Sequence, residues 1–169
     1  MEANSVTVRH LTLQDMTELR HASESVYLNK ALATWNESTV KALLTKFPEG
    51  QICVVVDGIV VGCAFSLIIE YADFGDEHTY AEITSDMTFD NHDPKGDSLY
   101  GIEVFIHPSY RGLRLARRLY DARKELCENL NLRAIVAGGR MPNYAQYSDK
   151  ISASSTLKKL KLKSYMIPY

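Results

Sequence analysis

One stretch of the chain gathers the residue types that handle anions. Residues 101–120, G-I-E-V-F-I-H-P-S-Y-R-G-L-R-L-A-R-R-L-Y, run from an apolar strand-like segment through a turn into a helical pattern, and the turn holds Arg111 and Arg114. The first four N–H groups of a helix have no partner within it, and the macrodipole adds about half a positive charge there. Such a terminus binds phosphate by backbone donors, which arginines reinforce. Gly112 lets the backbone come close to a ligand, and the small Ala116 keeps the helix surface low beneath it. These residues alone support two readings: an anion site, or an ordinary strand-to-helix turn with solvated arginines.

Glu103 is the second candidate. It lies mid-strand, where alternation puts it opposite the apolar Ile102, Val104 and Ile106. A carboxylate in a sheet covered on both sides is costly unless it is paired or used. It suits a general base, a partner for an arginine such as Arg140, or a holder of substrate charge. His78 and His92 stand among aspartates at spacings that match no ligand pattern, so they read as a solvated loop and no metal site is expected. Cys53, Cys63 and Cys127 sit in apolar contexts and read as buried, reduced thiols.

Several elements must position these groups. Val6 to Arg9 alternates like a short strand, and Thr12 or Asp15 can cap a helix running to about Asn29. A second helix begins at Asn36 and stops at Pro48. Two apolar runs joined by Asp57-Gly58 form the strongest hairpin signal in the chain, and both are apolar enough to be covered on both faces. Residues 71–97 form an acidic insertion in which Tyr80–Thr84 and Met87–Phe89 look strand-like. A strand over Leu99–Ile106, a helix over Gly112–Leu130 and a strand over Ala134–Ala137 follow. The helix would bury Leu115, Leu119, Ala122, Leu126 and Leu130 on one face. The order implies a mixed sheet covered by helices, in the α+β or α/β region of fold space, in a single domain over 1–169.

Bulk properties narrow the function. With 46% apolar and 24% charged residues the chain is an ordinary globular sequence, and no run of 18 apolar residues suggests a membrane span. The absence of a signal-like start and the odd cysteine count fit a cytoplasmic protein. Residues 1–97 hold 6 Lys or Arg against 16 Asp or Glu, whereas residues 98–169 hold 13 against 5. The second half is therefore the side expected to face an anion, and with a pI near 6.2 and no nucleic-acid motif that anion is not expected to be DNA or RNA.

Arg111-Gly112-Leu113-Arg114-Leu115-Ala116, with its approach Val104-Phe105-Ile106-His107-Pro108, resembles the acyl-CoA pyrophosphate loop of the GNAT superfamily of N-acyltransferases. The wider run to A-G-G-R is similar to acetyltransferase-like domains that occur fused to carbon–nitrogen hydrolase domains, and the resemblance covers about residues 5–150. It implies an α+β (α/β sandwich) fold, a mixed, mostly antiparallel sheet flanked by helices with an atypical tail at 152–169, and acetyl-CoA as cosubstrate, with the backbone of Val104, Phe105 and Ile106 along the pantetheine arm. The amides of Arg111, Gly112, Leu113, Arg114, Leu115 and Ala116 would lie on the pyrophosphate, and Asn143 would be a further contact. It implies direct acyl transfer to a primary amine of a small molecule or peptide, with Glu103 as base and Tyr144 or Tyr147 as acid. The insertion's carboxylates would attract a cationic acceptor. Two departures stand out: Arg114 replaces the motif's central glycine, and the tail does not match the superfamily's last strand or strands. An edge left unpaired would invite a homodimer. The alternatives are a non-catalytic CoA-binding module truncated from a larger enzyme and a generic phosphate-binding domain.

Overall fold

The Asp57-Gly58 pair does what its chemistry demands. Asp57 and Gly58 both take positive φ, 49° and 87°, which suits a two-residue hairpin turn between twisted strands. In the computed structural model, which describes residues 5–27 and 35–138, this hairpin is the centre of a five-stranded sheet. The strands are β1 (Val6–His10), β2 (Ile52–Val56), β3 (Ile59–Ile69), β4 (Ser98–Ile106) and β5 (Ala134–Ala137), in spatial order β1-β2-β3-β4-β5. β1 to β4 are antiparallel neighbours, and β5 joins β4 in parallel. Cys53 and Cys63 are direct cross-strand partners, and both are fully buried and free.

Helices cover both faces. α1 (Met16–Val26) and α2 (Glu37–Lys46) lie on one side, where Leu19, Ala22, Val40 and Leu43 pack with Cys63, Phe65, Leu67 and Phe105. Asn36 caps α2 by accepting a hydrogen bond from the Thr39 amide. α4 (Leu115–Asn129) covers the other side, with Leu115 and Leu119 against Val54, Val61, Ala64 and Ile106. The mixed sheet with helices on both faces is the α+β arrangement expected.

Three local expectations need correction. Tyr80–Thr84 is a short helix, α3, because Thr79 and Glu82 form a capping box that outweighs the alternation of its residues. Met87 and Phe89 cannot be strand: with Ser85 and Asp86 they take positive φ, 50–69° over these residues, and the buried Phe89, stacked on Trp35, ties this turn to the core. α4 begins at Leu115, not Gly112, and its buried stripe is Leu115, Leu119, Arg123 and Cys127; Leu130 is exposed. The proposed helix end at Asn29, the tail and any later strands lie outside the described residues.

Candidate functional site

β4 carries an irregularity that shapes the site. Phe65 pairs with Glu103 and the next residue, Ser66, pairs with Gly101, so Ile102 is an extra residue and β4 bulges there. The bulge overturns the simple alternation read from sequence. Ile102 packs with Phe105 on the α1 face while Val104 and Ile106 pack on the α4 face, so Glu103 is not opposite Ile102. Its carboxylate accepts a hydrogen bond from Tyr27 Oη, at the C-terminal end of α1, at 2.6 Å.

The bulge also marks where β4 and β5 part. β5 pairs with β4 only from Ser98 to Gly101, and the described residues hold no partner for the next five residues of β4 on that edge. The His107 amide bonds the Val61 carbonyl, so alternation turns the amides of Ile106 and Val104 toward the open edge. Val104 N–H accordingly donates to Glu103 Oε1 at 3.1 Å instead of to a strand.

Beneath the bulge sits a charge that sequence reasoning passed over. Arg123 is 1% exposed; its Nε donates to Ser66 Oγ at 3.0 Å, and one terminal nitrogen donates to the carbonyls of Phe65 and Glu103, each at 2.9 Å. Those carbonyls belong to the pair beside the bulge, where the guanidinium donates to both. Burial pulls its pKa below the usual arginine value. Gly101 makes room for it, since a Cβ there would lie 2.8 Å from a guanidinium nitrogen. An arginine at i+4 from Leu119, within the stripe that starts at Leu115, was the available signal.

The turn before α4 completes the frame. Gly112 has φ 90°, and Arg114, the N-cap, is left-handed at φ 56°. This is why a glycine suits the place Arg114 occupies: the backbone there is one that side chains disfavour. No side chain caps α4, and its first turn has no acid, whereas α2 and α3 are capped by Asn36 and Thr79. The first bond within α4 runs from the Arg118 amide to the Arg114 carbonyl, which leaves the preceding amides without helical partners.

A cavity of about 310 Å³ joins these parts. Val104, Phe105 and Ile106 line it from β4, and Arg111, Gly112, Arg114, Leu115 and Ala116 from the turn and helix. Leu113 instead packs against the apolar cluster under α4. Val26, Tyr27 and Tyr110 also line the cavity and were not anticipated; a tyrosine just past a helix end gives no sequence signal. Arg140, Asn143, Tyr144 and Tyr147 lie outside the described residues.

A second cavity, of about 540 Å³, is lined by Asp73, Glu77, Glu82 and Asp86 together with His78 and Asn91. Neither histidine of this region is a mere solvated loop residue. His78 is in hydrogen-bond contact with the Gly75 carbonyl and Tyr100 Oη, and His92 Nδ1 accepts from the Ile68 amide while its ring stacks on Phe47. Among the described residues no group of three His, Cys, Asp or Glu is arranged to hold a metal ion. No helix there is long and apolar enough to cross a membrane.

The bulged strand, its open edge and the uncapped helix define an acyltransferase-like frame, and comparison gives the same class. The acetyltransferase (GNAT) family model matches residues 13–147, and the chain belongs to that family. It is 36% identical over 148 residues to "Probable hydrolase YhcX" of Bacillus subtilis (strain 168), spanning 88% of this chain but only 28% of that protein. It is 30% identical over 152 residues to "Uncharacterized N-acetyltransferase YkwB" of the same organism, covering 88% of this chain and 67% of that one. Among solved structures, the GphF GNAT-like decarboxylase in complex with isobutyryl-CoA superposes with a TM-score of 0.68 at 17% identity, over 85% of this chain and 71% of that one, a likeness of fold.

Proposed function

We propose that the chain transfers an acetyl or similar acyl group from acyl-CoA to a primary amine. The observation that carries this is one cavity bounded at one end by the arginine turn and at the other by the edge of β4 beyond Gly101, for which the described residues hold no partner strand. Family membership and the N-acetyltransferase name of YkwB support acyl transfer, and the acyl-CoA in the GphF fold supports the cosubstrate. The amides of residues 111–116 would hold the pyrophosphate, with Arg111 and Arg114 adding charge. The Ile106 N–H and the Val104 carbonyl would pair with the pantetheine amides as a strand would, with Phe105 between them and the Val104 N–H left for the thioester, and Asn143 is a further candidate contact.

The chemistry then needs orientation and one proton path. Glu103 takes a proton from the ammonium; the neutral amine attacks the thioester carbonyl, the C–N bond forms and the C–S bond breaks. The Val104 N–H stabilises the oxyanion, and a tyrosine, Tyr144 or Tyr147, returns a proton to the departing thiolate. The carboxylates of the second cavity suit a cationic acceptor.

Calorimetric titration with acetyl-CoA tests the cosubstrate. Micromolar binding is expected, weakened at least tenfold in Arg111→Ala, Arg114→Ala; no binding by the native chain would refute the reading. A second reading, a CoA-binding module without transfer, is favoured by one contact: the Val104 N–H is already taken by Glu103 Oε1. Release of free CoA from acetyl-CoA across a panel of polyamine, amino-acid and peptide amines separates the two, and unchanged CoA thioester with every amine supports the module.

A further inference from the structure

An amide on the edge of β4 that has no partner strand among the described residues is already taken by a side chain. Glu103 Oε1 accepts the Val104 N–H at 3.1 Å, and Oε2 accepts Tyr27 Oη at 2.6 Å. Tyr27 lines the cavity together with Val104, so the two anchors of this carboxylate face the space that the cosubstrate reading fills. A thioester carbonyl that uses Val104 N–H must therefore first remove Glu103 from it. Free CoA has no carbonyl at that point and makes no such demand.

We propose that Tyr27 is a positioning residue, the pivot on which Glu103 moves when a thioester arrives. In the free protein the carboxylate bridges Tyr27 and Val104. An incoming acyl-CoA takes the Val104 N–H through its carbonyl oxygen, and the carboxylate turns away, still held at Oε2 by the tyrosine hydroxyl. That tether keeps the base beside the thioester, on the α1 face. When the acyl group has left, the amide is vacant again and the carboxylate returns to it. This inference rests on the acyl-CoA reading and goes beyond it, because it makes base placement depend on whether CoA is acylated.

The test needs binding alone, so the acceptor need not be known. Acetyl-CoA and free CoA are titrated calorimetrically into native protein, Glu103→Ala, Glu103→Gln, Tyr27→Phe and the Glu103→Ala, Tyr27→Phe pair, each checked for a native thermal transition. Removing the carboxylate frees the amide, so Glu103→Ala is expected to bind acetyl-CoA about fivefold tighter while its Kd for CoA stays within about twofold. Glu103→Gln, which retains a neutral acceptor, shifts the ratio less in the same direction. Tyr27→Phe loosens the bridge and shifts the ratio about twofold, with no further effect when Glu103 is already alanine. An unchanged ratio in Glu103→Ala and Glu103→Gln, with both ligands bound, overturns the pivot and leaves the cosubstrate reading intact. An equal Tyr27→Phe effect in the alanine background also overturns it, because the tyrosine would then not act through Glu103. If native protein binds neither ligand, the acyl-CoA reading itself fails.

Discussion

Asp15 shows how much one side chain contributes to this fold. Its carboxylate accepts both ends of the Arg9 guanidinium at 2.8 Å and also the amide and hydroxyl of Thr12, tying β1 to the turn before α1. The Arg9 hydrogen bonds are the main reason its pKa falls from 3.8 to about 2. Because the folded value is the lower one, the stability this provides is fully present above pH 4 and is lost as pH falls through 2. At 1.36 kcal/mol per unit it amounts to about 2 kcal/mol, of which about half is gone by pH 3. Urea unfolding of native protein and Asp15→Asn should therefore differ by about 2 kcal/mol at pH 7 and by about 1 kcal/mol at pH 3. A gap that stays constant would mean that Asp15 is not the titrating group. The Arg111–Ala116 segment was legible at this scale because helix ends and phosphate share a simple chemistry. Tyr27 was not, because its partner is 76 residues away and only the fold brings them together.

At the scale of elements, β4 depends on Arg123 in α4. The Arg123→Met variant removes the donors to two carbonyls and Ser66 Oγ without much loss of volume, leaving buried acceptors that cost about 1–3 kcal/mol each. A loss of about 3 kcal/mol is expected in chemical unfolding, together with new 1H-15N amide shifts at Ile102, Glu103 and Val104. A stability loss with those shifts unmoved would show that Arg123 serves the core but not the bulge. The hairpin and α2 were readable because Asp57-Gly58 and Asn36 are local signals. The bulge was not, since a strand that gains one residue keeps its composition and changes only its register. The α3 segment misled for a related reason: alternation over five residues is weak, and the deciding feature was the Thr79–Glu82 pair at its start.

Across the whole molecule, charge is divided as the sequence indicates, with carboxylates around the 540 Å³ cavity and arginines around the 310 Å³ one. Under the proposed function this division sorts the two substrates, anionic cosubstrate to one side and cationic amine to the other. Asp73→Asn, Glu77→Gln, Asp86→Asn leaves the Tyr71–Asp76 hydrogen bond and the Thr79–Glu82 cap untouched. It should raise the KM for a diamine such as putrescine about tenfold at low salt, and less at 0.5 M salt, with acetyl-CoA affinity unchanged. An unchanged KM would remove the insertion from acceptor recognition. Element order led to a mixed sheet covered by helices, and the family resemblance around residues 104–116 narrowed it to the α+β class, whereas the proposed acceptor side depends on how the insertion folds back, which its composition does not specify.

The facing of Cys53 and Cys63 across the hairpin has a consequence for handling the protein. Burial pushes the Cys53 thiol up to about 11 and Cys63 well above its ordinary value, so in the folded chain neither is a thiolate that an oxidant can find. Once the sheet opens, both become ordinary reactive thiols, free to cross-link between molecules as well as with each other. Heat inactivation in air would then be irreversible for chemical reasons, and reductant would set the protein's shelf life without altering its folded form.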